Sequence, residues 1–211
     1  IAMIMNNLAE LYRLQGKYEQ AESLYLRALK ILREILGEEH LDIAVILNGL
    51  SLLYQDQMIY DKSKTILLEI VNIVRNNFGE DHIYVAITNR KIASMHKLLE
   101  EYGEACQLYL EIVNKGNILF AEDPHFMVTI LSDISDVLGK LEKYEIAESL
   151  YLNSLPIFLS KLGEDHPDSR TVFYDFVDCL TTAHQAGFAH TLSDHPLTQS
   201  LLQQIRENES T

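Results

Sequence analysis

The sequence predicts an all-α solenoid built from antiparallel helical hairpins. Three observations carry that prediction. Tyr18, Tyr60, Tyr102 and Tyr144 stand 42 residues apart, and a fixed period of about 20–50 residues marks a repeat architecture. Other columns keep the same step: Ala21, Ser63, Ala105 and Ala147 are small, Leu24, Ile66, Leu108 and Leu150 are aliphatic, and Tyr25, Leu67, Tyr109 and Tyr151 are large and apolar. Each period holds two runs with the spacing of a buried helix face, separated by a break.

In the first period Met5, Leu8, Ala9 and Tyr12 fall at i, i+3, i+4 and i+7, which predicts a helix over 2–15. Gln15 and Gly16 interrupt it. Tyr18, Ala21, Leu24, Tyr25, Ala28, Leu29 and Leu32 then predict a helix over 19–36, ended by Gly37. The short connection forces the pair antiparallel. Ala9 and Ala21 allow close approach, while Tyr12, Tyr18 and Tyr25 fill the space toward the next hairpin. The same step predicts helices at 42–57 and 61–78, 84–100 and 103–119, and 125–141 and 145–162, then a ninth at 168–184 and a tenth at 195–207. Pro156, inside the eighth, predicts a kink. Gly37, Gly79, Ala121 and Gly163 mark the breaks. Each opens an acidic turn with a histidine: G-E-E-H at 37–40, G-E-D-H at 79–82, A-E-D-P-H at 121–125 and G-E-D-H at 163–166. His40, His82, His125 and His166 read as turn and helix-start residues.

The run L-A-E-L-Y-R-L-Q-G-K-Y-E-Q-A-E-S-L-Y-L-R-A-L at 8–29 resembles a tetratricopeptide repeat (TPR). The 42-residue period, the L-G-E-x-H turn and N-N-L-A at 6–9 are similar to the kinesin-light-chain type of that repeat. Met58 and Glu100 stand where its turn glycine would be. The resemblance implies a right-handed superhelix with units at about 1–41, 42–83, 84–124 and 125–168. The segment 169–211 keeps a first helix but loses the G-K-Y turn, and is expected to be a divergent fifth unit or capping helices.

The net charge is −14, with an excess toward the C-terminal end. Such a field disfavours nucleic acid and anionic lipid as partners. No run of about 18 apolar residues predicts a membrane span, and no signal peptide opens the chain. Ile1 falls inside a repeat, so the sequence reads as a piece of a longer protein. Two distant cysteines, Cys106 and Cys179, suggest a reducing, cytoplasmic compartment.

No phosphate-binding, dinucleotide, zinc-protease or nucleophile-elbow motif is present, so neither enzyme activity nor a cofactor is expected. The turn histidines lie in different units, which stack at roughly 10 Å, too far apart to share a metal whose ligands sit near 2 Å. Cys179, His184, His190 and His195 follow no zinc spacing, so no metal is expected.

The resemblance further implies an inner groove, lined by the first helices, that takes a protein or peptide. The matching positions are Asn6, Glu10 and Arg13; Asn48, Leu52 and Gln55; Arg90, Ser94 and Lys97; and Ser132, Asp136 and Lys140. Solvation also accounts for polar residues on this face. Asn6 and Asn48 are the better candidates, because asparagine favours helices poorly and its carboxamide both donates to and accepts from a peptide backbone. The expected function is a non-catalytic binding scaffold. The alternative is a self-associating, homo-oligomeric or regulatory segment of a larger bacterial signalling protein, with Phe120, Phe126, Phe173, Phe176 and Phe188 forming a docking face.

Overall fold

The computed structural model describes residues 1–209, and among these the regular structure is helical throughout. The order is α1 (Ala2–Leu14), α2 (Tyr18–Leu36), α3 (Leu41–Asp56), α4 (Tyr60–Phe78), α5 (Ile83–Leu98), α6 (Tyr102–Asn114), α7 (Gly116–Glu122), α8 (Pro124–Lys140), α9 (Tyr144–Leu162), α10 (Pro167–Gln185) and α11 (Pro196–Glu209). The periodic tyrosines open α2, α4, α6 and α9. Two compact units result, Ile1–Glu101 and Tyr102 onward. The division falls between α5 and α6, the two helices of the third repeat.

In the first unit α1 pairs with α2 and α3 with α4, while α3 docks on α2 and α5 on α4. Small residues sit at the crossings: Ala9 and Ala21 are fully buried, and in the second repeat Ser51 and Ser63 take their places. The two serine hydroxyls, both buried, bond each other at 2.8 Å. In the second unit α8 packs on α6 and α9, and α10 on α9. Ala105 and Ala147 are buried there in the same way.

Two backbone devices recur. Gly16, Met58, Glu100 and Glu142 turn between the helices of a repeat with φ of 72°, 59°, 61° and 57°. The next residue's N–H then donates back to a carbonyl of the helix just ended, as Lys17 does to Tyr12 and Lys143 to Leu138. At the end of the second helices Gly37, Gly79 and Gly163 hold φ of 81–88° with ψ of 164–173°, a region open essentially to glycine alone. His40, His82 and His166 follow as N-caps, each Nδ1 accepting the N–H two residues on at 3.1–3.2 Å.

The third repeat departs from this scheme and from the expected helix over 103–119. Leu32, Val74 and Phe158 are core residues at one column, where the third repeat has Gly116. A glycine neither fills the core nor favours a helix. The helix stops at Asn114, Lys115 turns, and α7 restarts at Gly116. Phe120 on α7 reaches Phe158 instead, ring centroids 4.8 Å apart. Ala121 does not mark the break, since α7 runs through it to Glu122. Asp123 rather than His125 caps α8, accepting the Phe126 N–H at 3.1 Å. His125 lies within α8 and pairs with Asp168 of α10 at 2.9 Å.

Pro156 is exposed on α9, which continues through it to Leu162. Of the phenylalanines expected to form a docking face, Phe126 and Phe176 are buried, Phe188 packs on Tyr144 and Phe120 on Phe158, while Phe173 is half-buried with its ring edge-on to Tyr174. The irregular stretch after α10 is pinned by Glu148 of α9, which is buried and accepts from the Ser193 N–H at 2.9 Å, the Thr198 hydroxyl at 2.7 Å and the Ser193 hydroxyl. That tether lays α11 along α10 with Leu201, Leu202 and Ile205 buried.

The turn backbone and the His125–Asp168 pair each generate a prediction. Gly79→Ala is expected to cost about 1–3 kcal/mol, since a side chain there is strained. Glu142→Gly is expected to stabilise by up to about 1 kcal/mol, the left-handed strain relieved less the entropy of glycine; urea unfolding of both variants measures the opposite signs. Asp168, hydrogen-bonded to His125, raises the pKa of that imidazole. The pair therefore stabilises fully below the unfolded value of about 6.5 and loses its effect as pH rises through the raised folded value. His125→Gln is expected to lower the thermal midpoint near pH 5.5 and to be silent near pH 8.5, by no more than about 1 kcal/mol for an exposed pair.

Candidate functional site

The first-helix faces of α1 and α3 border an open pocket of 460 Å³ lined by Asn6, Asn7, Glu10, Leu11, Val45, Asn48, Gly49 and Leu52. Its origin is a close approach. A methyl group on Gly49 would stand 2.6 Å from the Tyr25 ring, so the glycine, unfavourable in a helix interior, admits the tyrosine between α2 and α3. The Tyr25 hydroxyl then reaches through to donate to Glu10 Oε2 at 2.8 Å.

Glu10 also receives Arg13 Nε at 2.9 Å and Nη2 at 2.6 Å, and Arg13 continues to Asp56 on α3. The Arg13 hydrogen bonds, helped by Tyr25, hold the Glu10 carboxyl below its usual range against the opposing effect of burial. Burial and Glu10 push the Tyr25 phenol up. The network therefore keeps Glu10 an anion, Arg13 a cation and Tyr25 a neutral donor.

From α5, Lys91 Nζ donates to Asn48 Oδ1 at 2.6 Å. Burial, and then the neighbouring charge of Arg90, lower the Lys91 pKa. Arg90, Ser94 and Lys97 are half-buried on the same helix.

Of the positions singled out in the sequence, Asn6, Glu10, Asn48 and Leu52 come together at this pocket. Arg13 is absorbed by Glu10 and Asp56. Gln55 is absorbed by the buried serines, donating to Ser51 at 3.2 Å and Ser63 at 3.1 Å. In the second unit Ser132, Asp136 and Lys140 line a separate pocket of 340 Å³ between α8 and α10, with Asp175, Asp178, Cys179 and Thr182. There burial raises the Asp175 carboxyl, with Ser132 acting against it, and pushes the Cys179 thiol up to about 11.

Sequence reasoning missed Lys91, Val45 and Gly49. The signal for Gly49 was present: a glycine in the middle of a predicted helix. Among the described residues no three His, Cys, Asp or Glu side chains gather as metal ligands, and no helix is long and apolar enough to cross a membrane.

Residues 1–58 and residues 128–168 each match a family model of the tetratricopeptide repeat. No curated protein matches the chain in sequence. Among solved structures, a kinesin-light-chain-type protein of Podosopora anserina with nearly identical TPR-like repeats is similar at a TM-score of 0.72 and 16% identity, covering 99% of this chain and 94% of that one. BtubC (BKLC) from P. vanneervenii gives 0.67 at 20% identity over 98% and 80%. The apo form of RapI gives 0.60 at 16% over 99% and 83%. At these identities the likeness is one of fold. The chain carries tetratricopeptide repeats, folded as in the kinesin-light-chain-like repeat proteins, a fold typical of protein–protein interaction scaffolds.

Proposed function

We propose that the chain is a non-catalytic scaffold whose α1–α3–α5 face grips an extended segment of a partner protein. The pocket between α1 and α3 carries this reading. It joins apolar groups from Leu11, Val45 and Leu52 to the carboxamides of Asn6, Asn7 and Asn48. An apolar side chain of the partner enters the pocket, and its backbone exchanges hydrogen bonds with the asparagines, whose amides donate and accept. Lys91 and Arg90 beside Asn48 favour an acidic residue next to the apolar one, an attraction that weakens with salt. Cys106 and Cys179, both buried free thiols, fit a reducing, cytoplasmic setting.

A selection from a peptide library on the immobilised protein is expected to return segments with an acidic residue flanking an apolar one. Asn6→Ala and Val45→Asp are each expected to weaken the selected peptide about tenfold, near 1.4 kcal/mol, with thermal stability shifted by under about 0.5 kcal/mol. Titration calorimetry checks the first and thermal unfolding the second. Peptides whose affinity ignores both substitutions would refute the site. Asn48 is a poorer probe than its position suggested, because its removal also strips Lys91 of a hydrogen bond.

A further inference from the structure

Three periods separate the α1–α3 pocket from the one between α8 and α10, and the 42-residue step sets their residues in correspondence. Asp136 stands at the column of Glu10, Gly139 at that of Arg13, Asp175 at Gly49, Asp178 at Leu52 and Thr182 at Asp56. In the first unit the chain fills its own acidic place. Glu10 receives the Arg13 guanidinium through Nε at 2.9 Å and Nη2 at 2.6 Å, and that guanidinium goes on to Asp56. In the second unit the acid is kept and the arginine is gone. Gly139 brings no side chain to the column and lines the pocket of 340 Å³ that lies there. Two further carboxylates, Asp175 and Asp178, stand where the first unit has glycine and leucine.

We propose that this pocket binds a guanidinium group, the arginine side chain of a partner protein, in the place that Arg13 fills in the first unit. Two observations point to that ligand independently. One is internal precedent: at the same columns this chain already holds a guanidinium between carboxylates of two successive first helices. The other is the pocket itself, where Asp136, Asp175 and Asp178 meet one cation, Lys140. Asp175 and Asp178 lie one turn apart on α10 and so share a face, Asp136 comes from α8, and the hydroxyls of Ser132 and Thr182 add acceptors. Asp175 is half-buried. Burial raises its carboxyl, the Ser132 hydroxyl acts against that, and the negative charge of Asp178 raises it further. An arriving guanidinium offsets both the burial and the repulsion. It suits the pocket better than an ammonium, because its planar fork meets carboxylates two bonds at a time and stacks on rings such as that of Tyr144 in the pocket wall. The site lies in the other compact unit from the α1–α3 pocket and selects the opposite charge, so neither reading depends on the other.

The test titrates the isotope-labelled full chain with acetyl-Ala-Ala-Arg-Ala-Ala-amide and follows backbone amides by nuclear magnetic resonance. Shifts are expected in α8 and α10. The citrulline peptide, neutral and nearly isosteric, is expected to move neither helix, and the lysine peptide to bind at least about threefold more weakly. Asp178→Asn is expected to weaken the arginine peptide at least about tenfold without lowering the thermal midpoint, since Asp178 is exposed and repels Asp175. Gly139→Arg is expected to abolish the shifts by supplying the guanidinium from within the chain. Gly139→Ala, whose methyl group meets the Tyr144 ring at an ordinary 3.9 Å, is expected to keep them. An arginine peptide that moves neither helix at millimolar concentration overturns the proposal. So does equal binding of the lysine or citrulline peptide, or an affinity that ignores both Asp178→Asn and Gly139→Arg. If Gly139→Arg fails to fold, the Asp178→Asn and citrulline measurements decide alone.

Discussion

The contact on which the rest depends is the docking of each first helix, through one apolar stripe, on the second helix of the repeat before it. A lone hairpin has apolar residues on two sides and can bury only one set between its own helices. The other set needs a neighbour, which is why stability in such arrays is a sum of unit and interface contributions rather than one central core. The pocket follows from this docking. Seating α3 on α2 brings Tyr25 against Gly49, and only the missing side chain lets the hydroxyl pass through to Glu10. Glu10 fixes Arg13, and Arg13 reaches Asp56 on α3. A polar network thereby ties α1 and α3 side by side while their asparagines are left at the surface between them.

The turns impose a second constraint, and the third repeat shows what happens when it is relaxed. Gly37, Gly79 and Gly163 end their helices in a conformation that a side chain forbids. Ala121 cannot copy it. The chain instead carries the helix on to Glu122, stops at Asp123 in extended backbone, and starts α8 with Pro124, whose missing N–H is harmless in the first turn. Loss of the glycine, gain of a proline and the change of cap from histidine to aspartate are one coordinated solution.

The fold was legible because the period is long, repeated and carried by both small and aromatic columns; most helix ends fell within a residue or two. The break at Lys115 was not, because it arises from a missing core residue, Gly116, and a reader tracking apolar residues passes over a position where none stands. Nor was the end of the array at α10 and α11 legible in detail, since one buried carboxylate, Glu148, organises it from 45 to 50 residues away. For the candidate site, helix register sufficed to bring Asn6, Glu10 and Asn48 to one face. It could not reveal which polar groups the protein uses on itself. Arg13 and Gln55 looked like ligand contacts because they share that register, yet each meets a partner from elsewhere in the fold.

Several cations of the first unit are used within the fold. In the first unit Arg13, Arg33, Lys64 and Arg75 each face a carboxylate: Arg33 lies 2.8 Å from Glu38 and also meets Glu69, Lys64 lies 2.8 Å from Glu101, and Arg75 meets Glu80. These pairs bridge helices and turns and leave little net charge to offer a ligand. Lys91 is treated differently. It is drawn into partial burial, set beside Arg90, and given the neutral carboxamide of Asn48 as its hydrogen-bond partner. Burial without a neutralising carboxylate makes a cation costly, and the lowered pKa of Lys91 records that cost. A carboxylate arriving from outside would offset it in a way that Asn48 does not. In a chain with 31 acidic and 17 basic residues, this half-buried cation bonded to an amide is the observation behind the proposed preference for an acidic residue, and its partner Asn48 lines the pocket between α1 and α3.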